Sequence, residues 1–207
     1  MQFNRLSVLG LTLLLSACGF QLRGTGDMQF GLKEIDLSAR NAYGETVKLT
    51  KAGLENNHVI VTSSAPYKLI LVRDEETSRT VSYTSTAQGA ESQITQTLDY
   101  EIRGKNDLLL ISNQLEVQRA YATDGNNING SSENADQVRS EMRVSIVQQL
   151  LSSIQMLKPA ELEALQKTAE AKAKMEADAL EAERQAEAAE LAEQPESIQL
   201  PIAIPGQ

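Results

Sequence analysis

The sequence predicts an α+β fold. A mixed four- to five-stranded sheet packs against two helices in a two-layer sandwich, followed by a C-terminal Ala/Glu-rich tail that is helical or disordered. Three observations predict this. Residues 94–103 and 108–121 alternate apolar and polar side chains, the period of a half-buried strand. Residues 133–157 instead put Val138, Met142, Ile146, Leu150, Ile154 and Leu157 on one stripe at helical spacing, widened by Val147 and Leu151. After Pro159 the composition shifts, and residues 160–194 hold 12 Ala and 9 Glu, both strong helix formers.

The elements follow in order. Residues 33–38 (Lys-Glu-Ile-Asp-Leu-Ser) alternate as a first strand. Residues 43–56 read as a short helix through Tyr43, Val47 and Leu54, with Asn56 and Asn57 as its stop. Residues 58–62 read as a second strand that begins at His58. Residues 63–66 turn, and an extended segment runs from Tyr67 to about Tyr83. Residues 84–91 form a polar hairpin tip around Gly89, and residues 104–107 turn between the next two strands. Leu109, Ile111, Leu115, Val117 and Tyr121 share one face of the last strand. Residues 124–132 form a Gly/Asn/Ser loop, with Ser131 or Ser132 capping the second helix. The order β-α-β-β-β-α puts both helices on one face, and the crossover between the first two strands makes part of the sheet parallel. Pro159 ends the second helix. The apolar residues of 160–194 keep no heptad, so the segment is expected to be a solvated helix with no face to pack. Residues 195–207, with Pro195, Pro201 and Pro205, are expected to be disordered.

The first 17 residues read as a bacterial signal peptide. Arg5 is its charged start, and residues 6–15 are an apolar run too short to span a bilayer. Leu15-Ser16-Ala17-Cys18 is a lipobox, which makes Cys18 the acylation site. Cys18 is the only cysteine of the chain, so no disulfide framework competes for it. Two acyl chains anchor a protein firmly, at about 0.8 kcal/mol per buried CH₂. In bacterial lipoproteins an Asp after the acylated cysteine retains the protein at the inner membrane. Gly19 therefore implies the outer membrane. The expected organisation is a signal peptide (1–17), an acylated leader (18–31), an α+β domain (32–158), a solvated helix (159–194) and a Pro-containing tail (195–207).

Composition narrows the chemistry. One histidine, His58, rules out any site that needs two, and no G-x-S-x-G, P-loop, G-x-G-x-x-G or H-E-x-x-H accompanies it. No cofactor, metal site or catalytic residue is expected. The net charge of −9 is uneven. Residues 18–159 carry 14 Lys/Arg and 17 Asp/Glu, whereas residues 160–194 carry 4 and 10. This leaves no basic footprint for nucleic acid.

Cys18 is followed by Gly19-Phe20-Gln21-Leu22-Arg23-Gly24. Tyr67-Lys68-Leu69, Leu98-Asp99-Tyr100 and Arg119-Ala120-Tyr121 fall in strands, and an amphipathic second helix follows. Together these motifs resemble the LptE family of lipopolysaccharide (LPS)-assembly lipoproteins. The resemblance covers about residues 1–158. It implies a non-enzymatic outer-membrane lipoprotein that faces the periplasm, sits inside the LptD β-barrel as a plug, assists barrel assembly, binds LPS and helps it reach the outer leaflet. The family carries basic residues near the hairpin tip and in the loop before the second helix. Here residues 85–90 and 126–132 have none, and Arg73 and Arg79 are the nearest substitutes for contacting lipid A phosphates. A generic lipoprotein scaffold of another envelope complex shares the lipobox and the α+β pattern, and a lipid-anchored hydrolase would need a nucleophile and base that the sequence does not show.

Overall fold

A computed structural model describes residues 30–83, 85, 89–124 and 127–193. The signal peptide, the acylation site Cys18, the leader up to residue 29, half of the hairpin tip (84 and 86–88) and the tail 195–207 lie outside these residues. The elements are β1 (Glu34–Ala39), α1 (Glu45–Asn56), β2 (Ile60–Val61), β3 (Lys68–Tyr83), β4 (Gly89–Arg103), β5 (Leu109–Ala122), α2 (Ile128–Gln155) and α3 (Pro159–Glu193). They build the expected α+β architecture with a five-stranded mixed sheet of order β2-β1-β3-β4-β5. β1 runs parallel to both β2 and β3, because α1 carries the chain across between β1 and β2. β3, β4 and β5 form an antiparallel meander.

The core lies between the sheet and the first two helices. Ile35, Leu69, Ile94, Leu98 and Ile102 from the strands meet Leu54 of α1 and Met142, Ile146, Leu150 and Ile154 of α2, all almost fully buried. Each such side chain contributes about 1.5–3 kcal/mol of burial free energy. The α2 stripe is therefore the one the periodicity gives.

Several local details differ from expectation. Tyr43 is 87% exposed and lies outside α1, whose buried face is Thr46, Thr50 and Leu54. Thr50 satisfies its hydroxyl by donating to the Thr46 carbonyl at 2.7 Å, so a threonine can face the core. His58 does not open a strand. It has φ of 62°, its N–H donates to the Glu55 carbonyl at 3.0 Å, and the Val59 N–H donates to the Leu54 carbonyl at 3.0 Å. These two bonds are the Schellman ending of α1, with Val59 and Leu54 both buried as its apolar contact.

α2 begins at Ile128, one turn before the expected start. Asn127 is its cap, accepting from the Gly130 N–H at 3.0 Å. Ser131, expected as a cap, instead accepts from the Asp124 N–H at 2.8 Å and ties down the preceding loop. Asn, Gly and Ser are weak helix formers, so the first turn is invisible to propensity. On β5, Leu109 is 49% exposed although it shares parity with Ile111. A register shift sets Leu109 opposite Arg103 and Ile111 opposite Ile102, and this bulge moves Leu110 onto the packed side.

α3 requires the largest correction. Pro159 does not only end α2: it opens α3 at the first helical position, where its missing N–H costs nothing and the Lys158 carbonyl accepts the first bonds from Glu161 and Leu162. The first two turns are docked on one side. Leu162 is fully buried in the core, Leu165 packs against it and Gln166 is buried. The Gln166 amide accepts from the Lys105 N–H at 3.1 Å and donates to the Lys105 carbonyl at 3.3 Å. A Cβ on Gly104 would stand 1.9 Å from Gln166 Oε1, so glycine permits this contact. Beyond Glu170 the described side chains are mostly exposed, Met175 and Leu180 among them.

Candidate functional site

A one-residue bulge at Val72 organises the surface. Before it, Leu69 and Leu71 face the helices; after it the pairing resumes as Arg73 with Asp99, and parity inverts. Asp74 and Glu76 then point to the helix side. Asp74 accepts from the Thr46 hydroxyl at 2.5 Å and the Gln96 amide at 3.0 Å, and Glu76 pairs with Arg139 of α2 at 2.7 Å. Arg73, Glu75, Thr77 and Arg79 point to the open face, with no register shift between 73 and 79. The two arginines thus share a face. Of the acidic residues between them in sequence, only Glu75 shares that face.

Two transverse ladders cross the open face. In the first, Arg73 Nε donates to Asp99 at 2.8 Å, its Nη1 reaches Glu75 at 3.3 Å, and the Gln114 amide donates to the other Asp99 oxygen at 2.8 Å. The Gln114 bond, followed by the Arg73 pair, holds the Asp99 carboxyl below the usual carboxylate range. The Asp99 bond in turn raises the Arg73 guanidinium. In the second, Arg79 Nε donates to the Gln93 amide oxygen at 2.9 Å, Gln93 donates to Gln118 at 2.7 Å, and Gln118 donates to Glu116. Arg73 is therefore balanced by two carboxylates, whereas Arg79 meets a neutral amide and pairs with no carboxylate among the described residues. Asp99, Gln93, Gln114 and Gln118 were not singled out by the sequence; their alternation showed which side they occupy, but not which residue stands opposite each.

The face so built is a hydrogen-bonded polar surface flanking a buried core, on a domain with no group of three His, Cys, Asp or Glu residues able to hold a metal among the described residues. No described helix is long and apolar enough to cross a membrane. The family model described as "LptE: Lipopolysaccharide-assembly" matches residues 32–154, more than half of the chain. The chain belongs to the LptE family. The LPS-assembly lipoprotein LptE of Yersinia pestis (strain Pestoides F) is 27% identical over 166 residues, covering 77% of this chain and 79% of that protein. Its counterpart in Yersinia pseudotuberculosis serotype O:1b (strain IP 31758) matches to the same extent. Among solved structures, rare lipoprotein B from Shewanella oneidensis has a TM-score of 0.54 at 22% identity, covering 58% of this chain and 92% of that one. An uncharacterized lipoprotein B from Nitrosomonas europaea has a TM-score of 0.57 at 16% identity, covering 70% and 96%. These two show that the fold is shared. The family match spans β1 to Ile154 of α2 and ends before α3, so the docked Leu162 and Gln166 lie beyond it.

Proposed function

We propose that this chain is an outer-membrane lipoprotein, anchored through Cys18, that seats in the lumen of an LptD-type β-barrel, assists its assembly and helps deliver LPS to the outer leaflet. Membership of the LptE family carries this reading. The polar ladders support it, since the lumen of a large outer-membrane barrel is itself polar, and a hydrogen-bonding sheet face suits such a wall. The barrel is the macromolecular partner and LPS the ligand. The chemistry is binding rather than catalysis.

Contact with the lipid A phosphates is assigned to Arg79 and Arg73, which lie about 20 Å apart at the usual strand rise and so engage separate phosphates. Arg79 carries the larger share, because its fork is held by a neutral amide, whereas Arg73 would first have to leave Asp99 and Glu75. Replacing both with Glu should lower retention of LPS by the purified chain, with Arg79→Glu alone giving most of the loss. Equal LPS retention by the double variant and the parent would place the contact elsewhere.

A further inference from the structure

The two edges of the sheet are not alike. β2 is two residues long and offers almost nothing to pair with. β5 is 14 residues long, and among the described residues no other segment makes a backbone hydrogen bond to its outer side. The side-chain bonds it does make show which groups face out. The Gln114 N–H donates to Asn113 Oδ1 at 2.8 Å, the Gln118 carbonyl accepts from Arg119 at 3.3 Å, and the Ala122 carbonyl accepts from Asn134 at 3.4 Å. The Thr123 N–H, of opposite parity, reaches back to the Ala90 carbonyl of β4. Even-numbered residues of β5 therefore turn their backbone outward, and Ser112, Glu116 and Ala120 belong to this set.

Exposed edges are commonly blunted by proline, lysine or a bulge. Residues 112–122 contain no Pro and no Lys, and the β4–β5 ladder has no register shift from Ile111 to Ala122. The edge is also two-sided in chemistry. Leu115, Val117 and Tyr121 form a partly to fully buried row on the helix side, and Gln114, Glu116 and Gln118 are exposed on the open face. A strand laid beside it would need apolar side chains in register with the first row and polar ones in register with the second.

We infer that the β5 edge is a strand-addition site, and that its occupant is an amphipathic strand of the barrel partner with alternating apolar and polar residues. This rests on the proposed function for the identity of the partner. Barrel strands alternate in this way, and a closed barrel has no free edge. The occupant is therefore a strand of the barrel chain that lies outside the closed wall or precedes its closure. Main-chain hydrogen bonds supply the affinity and the two side-chain rows fix the register.

The test uses the full chain co-expressed with its barrel. A photo-crosslinking residue at Glu116 or Ala120 should join this chain to an alternating segment of the barrel chain, located by peptide mapping. Glu116→Pro removes an outward N–H, which an edge strand tolerates, so the variant should fold. Its barrel recovery should drop about two- to tenfold, as expected for the loss of one hydrogen bond. If the proline variant fails to fold, the double variant Glu116→Lys and Ala120→Lys leaves the backbone intact and should show the same loss. Parental barrel recovery by the folded variants overturns the inference, as do crosslinks to a second copy or to residues 1–29 or 194–207 of the same chain. A parental chain that recovers no barrel sinks the proposed function itself, and this occupant with it.

Discussion

At His58 the backbone enters the left-handed region so that the Glu55 and Leu54 carbonyls find donors at the end of α1. The imidazole is exposed. Glycine reaches the same backbone without a Cβ penalty, at some entropic cost in the unfolded chain. His58→Gly should therefore hold or raise stability by up to about 1 kcal/mol and leave barrel recovery unchanged. Chemical denaturation and co-purification of the variant check both halves. Asp99 gives the second residue-scale expectation. Its carboxyl is held below the usual range by Gln114 and Arg73, so folding favours the charged form. The associated stability is complete above the unfolded value of about 3.9 and is lost as pH falls through the lower folded value. The pair sits at the surface, so the gain is below about 1 kcal/mol. Asp99→Asn should make the stability curve shallower below about pH 4 while leaving the fold intact. An unchanged acid limb in urea titrations would show that the ladder contributes nothing.

Among the elements, the close approach of α1 and α2 depends on Gly53. A Cβ there would lie 2.4 Å from Leu151 Cδ1, and Leu151 is part of the buried stripe. Gly53→Ala therefore forces a core side chain off its position, at a cost of about 1–3 kcal/mol despite alanine's better helix propensity. A melting temperature equal to the parent's would mean that Leu151 relaxes freely. Periodicity captured the α2 stripe because Val138, Met142, Ile146, Leu150 and Ile154 recur every four residues, and it captured the meander because β4 alternates cleanly. It missed the bulges at Val72 and Leu110, since both sit in runs of consecutive apolar residues, 69–72 and 108–111, where no alternation marks an extra residue. It also missed the first turn of α2, where a capping asparagine outweighs poor helix formers. The shared face of Arg73 and Arg79 was legible from spacing, but their partners were not, because Asp99 and Gln93 are set by register with a strand more than ten residues away.

For the whole molecule, α3 changes where the folded unit ends. Composition shows an Ala/Glu-rich solvated helix, and a single buried leucine plus one glutamine is too sparse a pattern to signal docking. Yet Leu162 completes the core and the Gln166 amide pairs with both backbone groups of Lys105. A chain cut after Lys158 should lose about 2–5 kcal/mol, the usual cost of removing a buried leucine side chain. A chain cut after Glu170 should keep the parental melting temperature. Equal melting of both truncations would show α3 to be an appendage from its first residue.

The central claim is that this domain is one half of a barrel complex. A tagged full-length chain, solubilised with the outer membrane in mild detergent, should bring down an LptD-type barrel in a one-to-one complex that survives size-exclusion chromatography. Recovery of the chain alone, or with a different envelope assembly in place of that barrel, would contradict the account.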